Sequence, residues 1–315
     1  MKKTILVTGG CGYIGSVAVK KLLDNNYKVI SIDNLKNGDK KLIDRRAISY
    51  YFDLCNKEKL KKVFKENNID SVMHFAAYKS VGESMKNASK YSDNIRGSVN
   101  LLDVMVEHDV KEIIYSSSAA VYGSPKEKKV NEDTKTKPIN YYGFTKLKVE
   151  EIIKWYSKIE NINYVSFRYF NVCGDMLGYI EKDPENIFPI IMDVIRGKRE
   201  KLTIFGNDYN TRDGTCIRDY IDVRDLVDAH ILALNNKNVS NEIINLGTSN
   251  GYSVKELVDS FIKVAGKFKF EYGDRREGDP SKLISSNEKA KKLLGWSPKR
   301  DLDEMVKSTY KAYKL

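Results

Sequence analysis

A doubly wound α/β fold is the architecture this chain predicts: a parallel sheet covered by helices on both faces, with a smaller C-terminal lobe interwoven in sequence. Two observations carry that expectation. Strand-like and helix-like runs alternate from the first residues to about residue 170, and the first strand runs directly into a glycine cluster that opens a helix. At 315 residues the chain is long enough for one large α/β domain and a second lobe.

The elements follow in order. TILVT (4–8) is β-branched and bounded by glycines, so it reads as a strand. Residues 14–25 repeat apolar side chains at helical spacing, and KVISID (28–33) returns to a strand pattern. ISYYFDL (48–54) reads as the third strand, EKLKKVFKE as a helix and DSVMHFAA (70–77) as the next strand. SVNLLDVMVEHD continues as a helix, EIIYSSS (112–118) as a strand, GFTKLKVEEIIKWYSKI (143–159) as a helix and YVSFRYF (164–170) as a strand. After Phe170 the rhythm breaks into loops rich in Gly, Asp and Asn, and only a helix near 223–236 and the strand EIINLG (242–247) rejoin the sheet pattern. The expected division is therefore residues 1–170 with about 222–247 as one domain, and 171–221 with 248–315 as the second lobe.

Bulk properties exclude several function classes. No apolar run approaches the roughly 20 residues that span a bilayer, so no membrane partner is expected. TILVT is too short for a secretory apolar region and ends in glycine. The four cysteines, Cys11, Cys55, Cys173 and Cys216, lie far apart without Cys-x-x-Cys or His at ligand spacing, so no metal is expected and a reducing cytoplasm fits. The formal net charge is +11, but in NKEKLKKVFKENN and IRGKREKL the lysines alternate with glutamates and no aromatic-basic stripe appears. The excess reads as a modest attraction for anionic ligands rather than a nucleic-acid surface.

Two constellations carry chemistry. In TGGCGYIG, Gly9, Gly12 and Gly15 stand between the first strand and the first helix, where backbone without Cβ atoms approaches a pyrophosphate and helix N–H groups face it. Asp33, 18 residues on from Gly15 at the end of the second strand, is placed to accept hydrogen bonds from a ribose diol and would repel a 2′-phosphate. That favours NAD over NADP on a Rossmann-type sheet, with Asp53 and Leu54, expected to end the third strand, beside the adenine. Further along, Ser118 ends a strand, Tyr142 opens a helix and Lys146 follows one turn later on the same face. A tyrosine titrates near 10, so acting as a base near pH 7 requires a shift of roughly three units, about 4 kcal/mol. The Lys146 ammonium and a cationic nicotinamide would both favour the phenolate, while Ser118 would hold the same substrate hydroxyl.

TGGCGYIGS, FAAYKSVGES, YSSSAAVYG, YYGFTK, RYFNVCG, IFGNDYNTRDGTCIRDYIDV and RREGDP resemble, in register over nearly the whole chain, the UDP-glucose 4-epimerases of the extended short-chain dehydrogenase/reductase superfamily. The resemblance implies tightly held NAD touched by Tyr13, Ile14, the 33–38 segment (Asp33, Asn34, Leu35, Lys36, Asn37, Gly38), Asp53 and Leu54. It adds the 75–79 segment (Phe75, Ala76, Ala77, Tyr78, Lys79), Asn94, Tyr142, Lys146 and Phe170. It implies a UDP-hexose held by Ser118, Asn171, Asn186 and Ile187, with Thr203, Ile204 and Phe205 along the uracil, Arg218 and Arg276 on the diphosphate, and Asp279 on a ribose hydroxyl. The implied reaction is reversible: Tyr142 takes the 4-hydroxyl proton, hydride passes to NAD, the 4-keto sugar turns, and hydride returns to its other face. Such relatives are typically homodimers packed through two helices per subunit. Leu283 matches the position that limits room for the sugar; it is intermediate between tyrosine and a small residue, so N-acetylated sugars are expected to be tolerated. Val17 and Asp222 stand where many relatives carry His.

Two rivals share the scaffold. A nucleotide-sugar dehydratase needs an acid/base pair beside its active-site Ser or Thr, whereas Ala119 and Ala120 follow Ser118. A catalytically silent NAD sensor would lack the Ser/Tyr/Lys set.

Overall fold

The computed structural model describes residues 2–127, 129–181, 184–276 and 280–314. It divides into two compact units, the first made of Met1–Gly123, Thr136–Arg168 and Val227–Ile244, the second of Ser124–Lys135, Tyr169–Leu226 and Asn245–Leu315.

In the first unit β1 (Thr4–Thr8) is buried at every position, as a strand covered on both faces must be. It leads through the glycine cluster into α1 (Tyr13–Asp24), then β2 (Lys28–Asp33) and β3 (Ile48–Tyr51). β3 stops at Tyr51, so Asp53 and Leu54 lie beyond its end rather than in it: the Asp53 carboxylate accepts the Cys55 amide in a tight turn that draws the backbone away from the ladder. Asn56 caps α2 (Lys57–Glu66), whose buried Leu60, Val63 and Phe64 form one helical stripe. After β4 (Ser71–His74) and the short α3 (Val81–Ser84), Asn87 caps α4 (Ala88–Glu107). β5 (Glu112–Ser118) ends in a 3-10 turn, Ala119–Tyr122, and Asn140 caps α5 (Tyr141–Glu160), which is followed by β6 (Asn163–Tyr169).

The seven-stranded sheet has the order β10-β6-β5-β4-β1-β2-β3, where β10 is Glu242–Leu246. β1 pairs in parallel with β2 on one side and β4 on the other. The winding therefore reverses at β1, and ligands of such sheets lie beyond the carboxyl ends of the strands at that point. Leu6, Ile30, Leu60, Val72, Leu101, Met105 and Val149 are among the side chains of one buried cluster beside this sheet.

The second unit contains β7 (Asn171–Cys173), α6 (Ile187–Ile195), β8 (Leu202–Phe205) and β9 (Ile217–Asp222), which leads into α7 (Val223–Asn235). α7 crosses into the first unit after Leu226. β11 (Gly251–Ser253), α8 (Val254–Ala265), β12 (Phe270–Gly273), β13 (Lys282–Leu283), α9 (Glu288–Leu294) and α10 (Leu302–Lys314) complete it. β9 pairs with β7, β11 and β13, while β8 pairs with β12. Phe188, Tyr220, Phe261 and Met305 lie in its core. Residues 124–135 belong here rather than with the sheet domain that the sequence suggested, because Val130 pairs with the chain at 284–286: its N–H donates to Ile284 O at 2.9 Å and its carbonyl accepts from Ser286 N at 2.7 Å.

Candidate active site

The glycine cluster is a cradle that side chains would fill. Gly9 sits at φ +73°, and a Cβ there would lie 2.8 Å from Ala76 N. A Cβ on Gly15 would lie only 2.0 Å from the Gly9 carbonyl oxygen, so neither position accepts alanine without moving backbone. Gly12 is the N-cap of α1 and no side chain caps that helix end, which leaves its positive end directed at whatever occupies the cradle.

Asp33 closes one side. Its two carboxylate oxygens accept Leu35 N at 2.8 Å and Cys11 N at 2.9 Å, so each keeps a lone pair for a diol. Burial raises its pKa while those amides oppose the rise. The loop beyond it is tightly wound: Leu35 adopts φ +60°, Lys36 N donates to Asn34 Oδ1, and a Cβ on Gly38 would meet Asp33 Oδ1 at 2.9 Å. Lys36 Nζ reaches Tyr78 OH at 2.7 Å and Asp53 Oδ2 at 3.2 Å, and Asn34 Nδ2 donates to the same Asp53 oxygen. Burial works against the Asp53 charge, but the Cys55 amide, Asn34 and Lys36 hold its pKa down at about 2. Leu54 is buried in the core.

Along the 75–79 segment, Phe75 packs against His230 and Ala76 N donates to Thr8 Oγ1. Asn94 Oδ1 accepts Tyr78 N at 2.8 Å, while its Nδ2 donates to Tyr78 O at 3.1 Å and Thr145 Oγ1 at 3.3 Å. Both ends of the Asn94 amide are thus engaged by the chain itself, which makes it a bracket for that segment.

The reactive side chains meet at the end of β5. Ser118 Oγ accepts Ala120 N at 3.2 Å, and its hydroxyl acts on the Tyr142 phenol. Lys146 is buried and donates to Ser116 O at 2.6 Å, with Nζ 5.9 Å from the Tyr142 ring centre and 5.1 Å from that of Tyr115. Helix and turn approach closely because residue 143 is glycine: a Cβ there would lie 2.6 Å from Ala120 O. Burial raises the Tyr142 pKa and the Ser118 hydroxyl pulls it down. Burial also lowers Lys146 to about 7, against the attraction of Glu150. The protein groups alone therefore do not produce the three-unit lowering that a tyrosine base requires; a further positive charge must arrive with the ligand.

The set is anchored by residues that sequence reasoning passed over. Glu150, one turn beyond Lys146, is fully buried and accepts Arg168 Nε at 3.0 Å, Arg168 Nη2 at 2.7 Å and the Ser117 hydroxyl. Arg168 Nη1 donates to Tyr122 OH at 3.0 Å. Two signals were present: Glu150 lies on the same helical face as Tyr142 and Lys146, and Arg168 is the one charged residue of a mostly apolar strand.

In the second unit Phe170 is buried and donates its N–H to Leu246 O. Asn171 Nδ2 donates to Asp219 O at 2.8 Å. Asn186 is the N-cap of α6, but its side chain makes no cap hydrogen bond, and Ile187 begins the helix. On β8 the alternation turns Ile204 into the core, so it offers only main chain; Thr203 is half-buried, and Phe205 is exposed with the Arg276 guanidinium 3.9 Å from its ring centre. Arg218 Nη1 donates to Ile217 O and Pro280 O, and Leu283 on β13 lies in register opposite Arg218. Asp279 lies outside the described residues. Among the described residues no group of three or more His, Cys, Asp or Glu is set to hold a metal, and no helix is long and apolar enough to cross a membrane.

The NAD dependent epimerase/dehydratase family profile matches residues 5–247. A UDP-glucose 4-epimerase of Lactobacillus helveticus is 43% identical over 98% of this chain and 97% of its own. The Bifidobacterium longum UDP-glucose 4-epimerase, solved with NAD+ and UDP, superposes with a TM-score of 0.91 at 36% identity, over 99% of this chain and 98% of that one. The UDP-Glc/GlcNAc 4-epimerase of Campylobacter jejuni gives 0.90 at 38% identity over the same shares.

Proposed function

The chain belongs to the NAD dependent epimerase/dehydratase family, and from that premise we propose how its residues divide the work of inverting carbon 4 of a UDP-hexose. The enzyme is an NAD-dependent UDP-glucose 4-epimerase, interconverting UDP-galactose and UDP-glucose. The observation that carries the catalytic assignment is the meeting of Ser118, Tyr142 and buried Lys146 at the end of β5, in the same unit as the Gly9/Gly12/Gly15 cradle.

Tyr142 is the proton acceptor for the 4-hydroxyl and returns the proton after the sugar has turned. Ser118, beside the phenol, orients that hydroxyl and keeps the proton path short. Lys146 holds positive charge beneath the phenol. Bound NAD supplies the acceptor and return donor for the carbon-4 hydride, and its cationic ring is the added charge that favours the phenolate. Gly9, Gly12 and Gly15 receive the pyrophosphate, and Asp33 the ribose diol. Phe75 and Tyr78 border the cofactor's path, with Asn94 bracing Tyr78. Arg218 and Arg276 anchor the diphosphate, and Asn171, Asn186, Thr203, Phe205 and Asp279 contact the remainder of the nucleotide sugar. Leu283 supports a sugar subsite roomy enough for N-acetylated UDP-hexoses, in keeping with the dual name of the Campylobacter jejuni relative.

Two further readings rest on the surface. Phe144, Trp155 and Ile159 are exposed along α5 at spacings of three and one helical turns, an apolar stripe suited to pairing with a second copy. The cytoplasm is the compartment that fits four free cysteines.

The test is to incubate the purified protein with UDP-galactose, without added NAD, and separate the nucleotide sugars. UDP-glucose appearing with wild type and not with Tyr142→Phe supports the assignment. No product, even with NAD supplied and with UDP-N-acetylglucosamine offered instead, removes it.

A further inference from the structure

Ser118 stands between two tethers that lead to one buried ion pair. On the strand side its neighbour Ser117 donates to Glu150 Oε1. On the turn side Tyr122 accepts from Arg168 Nη1 at 3.0 Å, with the guanidinium 4.9 Å from the Tyr122 ring centre. Glu150 and Arg168 join these ends through two hydrogen bonds, and their side chains are 1% and 4% exposed. Glu150 also sits one turn beyond Lys146 on α5, and Lys146 itself donates to Ser116 O. Strand, turn, helix and β6 are thereby pinned within a few residues of the reacting groups. An ion pair this deep contributes little to stability compared with well-packed apolar residues, so its use here calls for a geometric or electrostatic reason.

We propose that the Glu150–Arg168 pair is the positioning element of the catalytic centre, fixing Ser118 against Tyr142 through Ser117 and Tyr122 and setting the Glu150 carboxylate one turn beyond Lys146. The inference rests on the epimerase reading and deepens it. Its electrostatic half follows from what surrounds Lys146: Tyr142 and Glu150 on its own helix, Tyr115 on β5, His74 on β4, and Arg168 held against Glu150. Glu150, paired with Arg168, brings the carboxylate of that group, and burial lowers the pKa of His74. Without the carboxylate, Arg168 loses its buried partner and Lys146 loses the negative charge one turn along its helix.

Three variants separate this from a purely structural role. Ser117→Ala and Tyr122→Phe each remove one tether and leave the ion pair intact; Glu150→Gln removes the charge. Each is compared with wild type for retained NAD, thermal midpoint, kcat, KM and the pH profile of kcat on UDP-galactose. The expected result is a fall in kcat of about tenfold or more for each tether variant, with KM and NAD content unchanged and the midpoint within a few degrees. For Glu150→Gln the alkaline limb of kcat should move to lower pH, because Lys146 loses its proton more readily. Tether variants with wild-type kcat, or an unmoved alkaline limb in folded Glu150→Gln, overturn the inference. If Glu150→Gln does not fold, the two tether variants decide alone. A wild-type protein that turns over no UDP-galactose overturns the function itself, an outcome distinct from an active wild type with equally active variants.

Discussion

Gly143→Ala sets helix propensity against packing next to the catalytic tyrosine. Gly143 lies in the first turn of α5 with ordinary helical backbone, so alanine should stabilise the helix by about 1 kcal/mol. The added Cβ, however, would lie 2.6 Å from Ala120 O and 3.0 Å from Ala120 C, where ordinary contact begins at 3.4 Å. Both atoms are backbone of the turn that starts at Ser118, so no rotamer change relieves the clash. Overpacking of this kind costs about 1–3 kcal/mol, which leaves a net loss of up to about 2 kcal/mol. Relief must come from parting the α5 start from the turn, and this moves Tyr142 away from Ser118. Since a displacement of about 1 Å can cost on the order of 100-fold in rate, kcat should fall far more than stability does. Thermal unfolding and initial rates on UDP-galactose, at equal NAD content, read the two effects separately. A Gly143→Ala protein that melts higher than wild type and keeps its kcat would refute the packing argument.

Other expectations are simpler. Tyr142→Phe should lower kcat by about 10²–10⁴-fold while NAD content stays unchanged, measured by single-turnover rates and absorbance of released cofactor. Gly9→Ala places a side chain at φ +73° against Ala76 N, so the purified protein should lose most of its NAD, read by cofactor release on denaturation. His74, bonded to Thr8 and Ser98, has its pKa lowered to about 3 by burial and, secondarily, by Lys146. An unfolded histidine titrates near 6.5, so this contribution to stability is complete above about pH 6.5. It should weaken by about 1.4 kcal/mol per unit as pH falls toward 3, and denaturation of His74→Gln should lack that slope. Leu283→Tyr should reduce turnover of UDP-N-acetylglucosamine relative to UDP-galactose; an unchanged ratio in competition assays would remove Leu283 from the sugar subsite.

The parts of this molecule legible in sequence are those where one short-range rule dominates. EIIYSSS is a strand because β-branched and apolar side chains are continuous up to its serines, and Ser118 ends it as read. The start of α4 is different. Its first turns, ASKYSDN, are polar, and the evidence for a helix is a cap at Asn87 and a buried Tyr91 that only tertiary packing reveals. The pattern in sequence carries the third strand too far because FDL prolongs the run ISYY, while the Asp53–Cys55 turn beyond it is a hydrogen-bond decision. The glycine cradle and Asp33 announce themselves through spacing. Glu150 and Arg168 do not: charge on a helix usually marks its solvent face, and that rule hides a buried pair. Nor does any local pattern assign residues 124–135 to the second unit, since their partners at 284–286 lie more than a hundred residues away.

The alternation of the two units along the chain bears on how the protein is made. The chain changes unit five times, after Gly123, Lys135, Arg168, Leu226 and Ile244. β10, the outermost strand beside β6, is therefore synthesised long after its neighbour. At about 5–20 residues per second, the outer edge of β6 stays open for several seconds while residues 170–241 are still being added. An open edge is a template for pairing with other chains. The growing polypeptide thus passes through an aggregation-prone window that closes only when Glu242–Leu246 docks, and chains ending before that strand should collect in the insoluble fraction.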